Sequence, residues 1–211
     1  MISCTRSDGI CTLTLNRPDK ANSLTRDMLA DLTSAVQAAQ AQADKVLVIT
    51  GQGKVFSAGA DLDQARAGLA RDGIWEALSG AIAAFDGLSI AALNGTLAGG
   101  AFGMALACDL RISVPEAKFF YPAIKLGFLP QPSDPGRLRA LVGPARAKML
   151  LAAADKIDAQ TALSWGLVDR LTPADQMDAT IALLAAPALE ADAAVLKGIK
   201  AMIAAGDASP T

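Results

Sequence analysis

From Gly87 to Cys108 the chain carries no charged residue. A run of that length must leave water, either into a bilayer or into the protein's own interior. It is broken by Asn94-Gly95 and by Gly99-Gly100, and it contains Ser89 and Thr96. Turn-forming pairs and hydroxyls inside the run argue for a buried strand, a turn and a buried helix instead of a membrane span. The opening Met1-Ile2-Ser3-Cys4-Thr5-Arg6 has no apolar core and does not read as a signal peptide. A chain without a membrane partner is expected.

The flanks of that run set the fold class. Ile10-Cys11-Thr12-Leu13-Thr14-Leu15 alternates apolar and small polar residues, the period of a half-buried strand. Asn16–Lys20 reads as a turn. Leu24, Met28, Leu29, Leu32 and Val36 then fall on one helical stripe behind a cap at Asn22 or Ser23. Lys45–Thr50 is an apolar run of strand length closed by Gly51-Gln52-Gly53, and Leu110–Val114 is another. Ala-rich helical patterns follow at Ala145–Ala153, Ala159–Trp165, Asp175–Leu184 and Ala191–Ala205. Strands alternating with helices predict an α/β fold. No linker divides the 211 residues. One domain over 1–206 is expected, with a core to about residue 150, a helical part over 151–206 and a frayed tail at 207–211.

Composition narrows the chemistry. Hydrophobic residues make up 52% of the chain and charged residues 19%, enough apolar surface to build a core. Lys+Arg 19 against Asp+Glu 21 leaves no basic excess for a phosphate backbone, so no nucleic-acid partner is expected. There is no histidine, which removes Ser-His-Asp triads, Cys-His pairs and imidazole metal ligands. Cys4, Cys11 and Cys108 are too few and too scattered for a disulfide framework or a zinc site. A cytoplasmic setting without a metal centre is the expectation.

Two loops hold the best chemistry that remains. Phe56-Ser57-Ala58-Gly59-Ala60-Asp61-Leu62 follows a predicted strand, and Asn94-Gly95-Thr96-Leu97-Ala98-Gly99-Gly100 leads into a helix. Small residues allow a ligand close to the backbone, and a helix N-terminus offers unpaired N–H donors. Two such donors converging on one oxygen make an oxyanion hole.

The order of blocks resembles the enoyl-CoA hydratase/isomerase (crotonase) superfamily. The blocks are Leu15–Leu24, Val46–Gly51, Phe56–Leu62, Ala91–Asp109, Phe119–Gly127 and Trp165-Gly166-Leu167-Val168, and they span nearly the whole chain. The resemblance implies a spiral of ββα turns ending in a short helical region, and a homotrimer or hexamer. It implies an acyl-CoA thioester as partner, with coenzyme A entering only as part of the substrate and no covalently bound cofactor. Carried over, the backbone N–H groups of Ala58 and Gly100 form the oxyanion hole. Ser57, Ala60, Asp61 and Leu62 match the adenine and pantetheine pocket, and Lys20 and Ala21 the loop edging the CoA nucleotide. For Lys20 a solvated turn is the competing reading, and for Asp61 a carboxylate capping nearby backbone.

The departures are as informative as the matches. Hydratases of the family use two glutamates; the resemblance places Gly103 and Ala123 at those positions. Without them, water addition has no positioned base and no acid for the α-carbon. Tyr121 and Asp134 are the remaining candidates for acid–base work, against a packed aromatic and a turn or N-cap aspartate. Gln131 can orient water but is no base, and Lys125 and Glu116 read as solvent-facing. Dihydroxynaphthoyl-CoA synthases of the superfamily can use bicarbonate in place of the second glutamate, and Ala123 leaves comparable room. The expected function is acyl-CoA chemistry through a stabilised thioester enolate, other than two-glutamate hydration: decarboxylation, C–C cleavage, isomerisation or a hydrolytic variant. The alternative is an inactive crotonase-fold protein that binds CoA thioesters or serves as a scaffold. Family members usually continue beyond the helical pattern that ends here at Ile199–Ala205, so a more open site with weaker CoA binding is expected.

Overall fold

The computed structural model describes residues 1–206; the tail at 207–211 lies outside the described residues. Three successive segments follow one plan. Each gives a long strand to one sheet, a short strand to a second sheet, and then a helix or 3-10 turn. The first runs β3 (Val46–Gly51), β4 (Val55–Ser57), α2 (Leu62–Arg66). The second runs β5 (Leu88–Leu93), β6 (Thr96–Ala98), a 3-10 turn at Gly99–Ala101 and α4 (Phe102–Ala107). The third runs β7 (Leu110–Ser113), β8 (Lys118–Phe120) and a 3-10 turn at Pro122–Leu126. This is the expected α/β fold of ββα turns.

The remaining strands complete the two sheets. In the larger sheet β1 (Ile2–Ser7) pairs antiparallel with β2 (Ile10–Leu15), and β2, β3, β5, β7 and β10 (Arg170–Leu171) run parallel in that order. In the smaller sheet β4, β6 and β8 run parallel, and β9 (Lys156–Asp158) closes antiparallel on β8. The uncharged run is therefore β5, a turn, β6 and α4, almost all of it buried.

α1 (Arg26–Ala41) buries Met28, Leu29, Leu32 and Val36, with Leu24 buried just ahead of it. Its cap is Thr25, whose side chain accepts the Met28 N–H, and not the expected Asn22 or Ser23. Asn22 is spent elsewhere. Its Oδ1 accepts the Arg17 N–H at 2.9 Å, and its Nδ2 donates to the Gln52 and Val55 carbonyls at 3.0 and 2.8 Å. Asn94 works on the same turn, accepting the Gly51 N–H at 2.9 Å and donating to the Gly53 carbonyl at 2.8 Å. Together they fix the β3–β4 connection that aims the first glycine loop.

The helices α3 (Ile74–Ala83), α5 (Asp134–Leu151), α6 (Ala159–Trp165), α7 (Met177–Glu190) and α8 (Ala193–Gly206) cover the sheets. α5 starts earlier than the pattern at Ala145 suggests and breaks at Gly143, with φ of 79°, before Pro144. Two lysines anchor the C-terminal helices. Lys45 donates to the Leu189 and Ala191 carbonyls, and Lys200 to those of Phe85 and Gly87 and to Asp109. Among the described residues no single helix is long and apolar enough to cross a membrane.

Candidate active site

The parallel strands of the smaller sheet end on the same side, and each hands its chain to a loop: Ala58–Leu62 after β4, Gly99–Ala101 after β6, Tyr121–Ala123 after β8. Ligand sites of α/β sheets form at such carboxyl ends. The three loops enclose a cavity of about 140 Å³. Ala60, Gly99, Gly100, Tyr121 and Ala123 line its inner part, while the exposed Ala58, Leu62, Leu126 and Leu129 and the half-buried Phe128 form an apolar mouth. No charged side chain among the described residues lines it, and Tyr121, Gln131 and Trp75 bring the polar side-chain groups.

The two glycine loops touch. Gly59 has φ of 91°, and a Cβ there would lie 2.9 Å from the Ala98 carbonyl oxygen and 3.4 Å from the Gly100 nitrogen. A side chain at 59 is excluded on both counts. Gly100 is the second residue of its 3-10 turn, so its N–H has no acceptor within the helix that follows.

On the first loop the Ala58 N–H, the expected donor, is already engaged: it donates to the Ala21 carbonyl at 3.0 Å. Two residues on, Leu24 brackets Ala60: the Leu24 N–H donates to the Gly59 carbonyl at 2.7 Å and the Asp61 N–H to the Leu24 carbonyl at 2.9 Å. Successive residues of an extended segment face opposite sides. The Ala60 N–H therefore points away from Leu24, and it has no partner among the described residues. Ala60 lines the cavity. Ala60 is thus a free donor of this loop at the cavity.

The other expected binding residues are mostly structural in their contacts. The fully buried Ser57 hydroxyl donates to the Asn22 carbonyl at 2.8 Å and accepts the Gly59 N–H at 3.2 Å. Asp61 caps α2 through the Gln64 N–H and pairs with Arg17 at 2.8 Å. The Arg17 bond holds its carboxyl below the usual range. Ala21 takes a left-handed φ of 50° and serves Ala58, and Lys20 is exposed at the end of its turn; neither lines the cavity. Leu62 stands exposed at the mouth.

On the opposite wall, Tyr121 is buried against Phe102, with ring centroids 5.4 Å apart. Its hydroxyl donates to Asp134 Oδ2 at 2.8 Å and accepts the Gln131 N–H at 3.3 Å. Asp134 is neither an N-cap nor a turn residue in its contacts: it opens α5 with its side chain turned fully inside. Burial pushes its carboxyl up to about 7, and burial together with Asp134 pushes the Tyr121 phenol above its ordinary range. Sequence reasoning passed over Trp75, which lies under Gly100 and donates to the Leu69 carbonyl at 2.8 Å. The spacing of Trp75, Leu78 and Ile82 was the available signal for α3.

Comparison with known proteins decides the family. The model for enoyl-CoA hydratase/isomerase matches residues 5–209. The chain belongs to the enoyl-CoA hydratase/isomerase family. It is 36% identical to the probable enoyl-CoA hydratase echA6 of Mycobacterium tuberculosis over 194 residues, 90% of this chain and 79% of the relative. It is also 36% identical to a crotonyl-CoA hydratase of Syntrophomonas wolfei, over 82% of this chain and 69% of the relative. Among solved structures, Pseudomonas aeruginosa DspI superposes with a TM-score of 0.89 at 34% identity, covering 98% of this chain and 87% of that one. An enoyl-CoA hydratase from Bacillus anthracis gives 0.91 at 28% identity, covering 99% and 84%. Both solved structures share the arrangement of strands and helices described above.

Proposed function

We propose that the cavity receives the thioester carbonyl of an acyl-CoA, and that the N–H groups of Ala60 and Gly100 stabilise the enolate formed there. The observation that carries this reading is the pair of unpartnered backbone donors at one uncharged, apolar cavity. In such surroundings the two donors are the available compensation for a developing negative oxygen, and each such donor is typically worth about 10²–10³ in rate. Gly103 and Ala123 bring no carboxylate to the cavity, which favours enolate chemistry by proton transfer or C–C cleavage over two-glutamate hydration. The same lack favours, as a second reading, a protein that binds CoA thioesters without turnover.

Calorimetric titration of crotonyl-CoA, with mass spectrometry of the same cell, tests this directly. Saturable heat with intact ligand supports the thioester site and directs the search to other acyl groups. A water adduct overturns the exclusion of hydration. No heat at two temperatures overturns the thioester site.

A further inference from the structure

Asp134 Oδ1 is the buried side-chain oxygen that has no hydrogen-bond partner among the described residues. Leaving such an atom unmatched is costly, less so for a neutral acid than for a carboxylate, and calls for an explanation. Its surroundings explain how it came to be there. A Cβ on Gly103 would lie 3.1 Å from Asp134 Oδ1, so the Asp134 carboxyl, arriving from α5, occupies the space a side chain at 103 would need. A side chain at 103 would require the Asp134 carboxyl to give way by a few tenths of an ångström, so the two positions compete for the same space. Asp134 does not line the cavity itself, but Tyr121 does, and the two are joined by the 2.8 Å hydrogen bond.

We propose that Tyr121 is the catalytic proton carrier at the α-carbon of the bound thioester, and that Asp134 is the positioning residue that stores the proton behind it. The proposal rests on the acyl-CoA reading of the cavity. In the forward direction the α C–H bond breaks and its proton passes to Tyr121 Oη. The proton of Tyr121 passes in turn to Asp134 Oδ2, which becomes a carboxylic acid. The electron pair left at carbon delocalises onto the thioester oxygen between Ala60 and Gly100. Reversal returns a proton to the same carbon. The charge thus moves from a buried carboxylate to an oxyanion, and the tyrosine is neutral before and after.

The groups facing Asp134 are Tyr121 from the end of β8, Glu76 from α3 and Arg137 one turn along α5. Glu76 accepts from the Ser133 N–H and hydroxyl, which keeps it beside the first turn of α5. Burial and Glu76 both favour the protonated acid, while Tyr121 and Arg137 oppose them. A carboxyl brought to about 7 is matched to giving and taking protons near neutrality.

The test is exchange of the α-protons of butyryl-CoA in D₂O, followed by NMR, with binding measured by calorimetry on the same samples. Wild-type protein is expected to exchange, at a rate that rises with pH to a plateau with its midpoint near 7, as Asp134 ionises. Tyr121→Phe is expected to lower exchange by about a hundredfold or more while butyryl-CoA still binds. Asp134→Asn, which keeps an acceptor for the tyrosine, is expected to slow exchange and to lose the pH dependence; a purely structural aspartate would leave that dependence in place. Binding without exchange in the wild type overturns the proposal, as does unchanged exchange in Tyr121→Phe or an unmoved midpoint in Asp134→Asn. Absence of butyryl-CoA binding by the wild type overturns the thioester reading itself, and the calorimetry separates that failure from the others.

Discussion

The two walls of the cavity are built from different materials. One is backbone: the Ala60 and Gly100 N–H groups, set by a glycine contact and by hydrogen bonds to Leu24 and Ala21. The other is side chain: Tyr121 after β8, backed from behind the cavity by Asp134 of α5. A backbone donor is indifferent to the residue that carries it, so the first wall needs only small residues and a fixed path. A proton carrier depends on its functional group, and the carboxyl of the second wall stands on a different helix from the position where the family resemblance looks for one. On the proposed reading, enolate stabilisation and proton transfer are therefore separable parts of this site.

The sharpest break between the walls comes from two proline substitutions on one loop. Ala60→Pro removes an N–H that holds no partner, so it is expected to cut α-proton exchange by about 10²–10³ with little change in melting temperature. Ala58→Pro removes an N–H bonded to the Ala21 carbonyl and is expected to cost about 1–3 kcal/mol of stability instead. Urea unfolding and exchange kinetics on both variants check the pair. If Ala58→Pro were the one to lose activity at intact stability, the donor assignment would revert to Ala58.

The side-chain wall responds to pH. The folded carboxyl of Asp134, at about 7, holds a proton that the unfolded carboxyl releases near its ordinary value of 3.8. Its favourable contribution is complete below the unfolded value and is lost as pH rises through the folded one. At about 1.4 kcal/mol per pH unit, the loss between those limits is at most about 4 kcal/mol. Asp134→Asn, neutral throughout, is expected to gain stability relative to wild type on going from pH 4.5 to pH 8. Unfolding curves that stay parallel across that range would place the ionisation elsewhere.

The contrast between the walls also decides what the sequence could reveal. Strand periods, the stripe from Leu24 to Val36 and the two glycine loops are local patterns, and each lies where its period places it. The short strands of the smaller sheet, such as Thr96–Ala98, hold too few residues to show a period. Ala58 and Ala60 are alike in composition and differ only in which carbonyl each N–H meets, a tertiary fact. Asp134 carries the composition of a helix start, and only the approach of α5 to Gly103 turns it inward. Tyr121 and Asp134 were legible as candidates, but not the 2.8 Å bond that makes them one unit.

The smallest effect probes the scaffold behind the backbone wall. Both oxygens of Asp61 are engaged, one by the Gln64 N–H at 3.3 Å and one by Arg17 at 2.8 Å. Asp61→Ala is therefore expected to cost about 0.5–2 kcal/mol through the lost cap. Asp61→Asn keeps a capping oxygen and gives up only the ion pair, for about 1 kcal/mol or less at this partly exposed site. Because Arg17 holds the Asp61 carboxyl below its usual range, that contribution is present above the ordinary carboxyl value and fades as pH falls through the lowered one. Neither variant is expected to weaken acyl-CoA binding, since the carboxylate faces Arg17 and α2 and does not line the cavity. Calorimetric affinity that fell in both variants while unfolding curves barely moved would make Asp61 a ligand contact, and would extend the side-chain wall to the β4 loop.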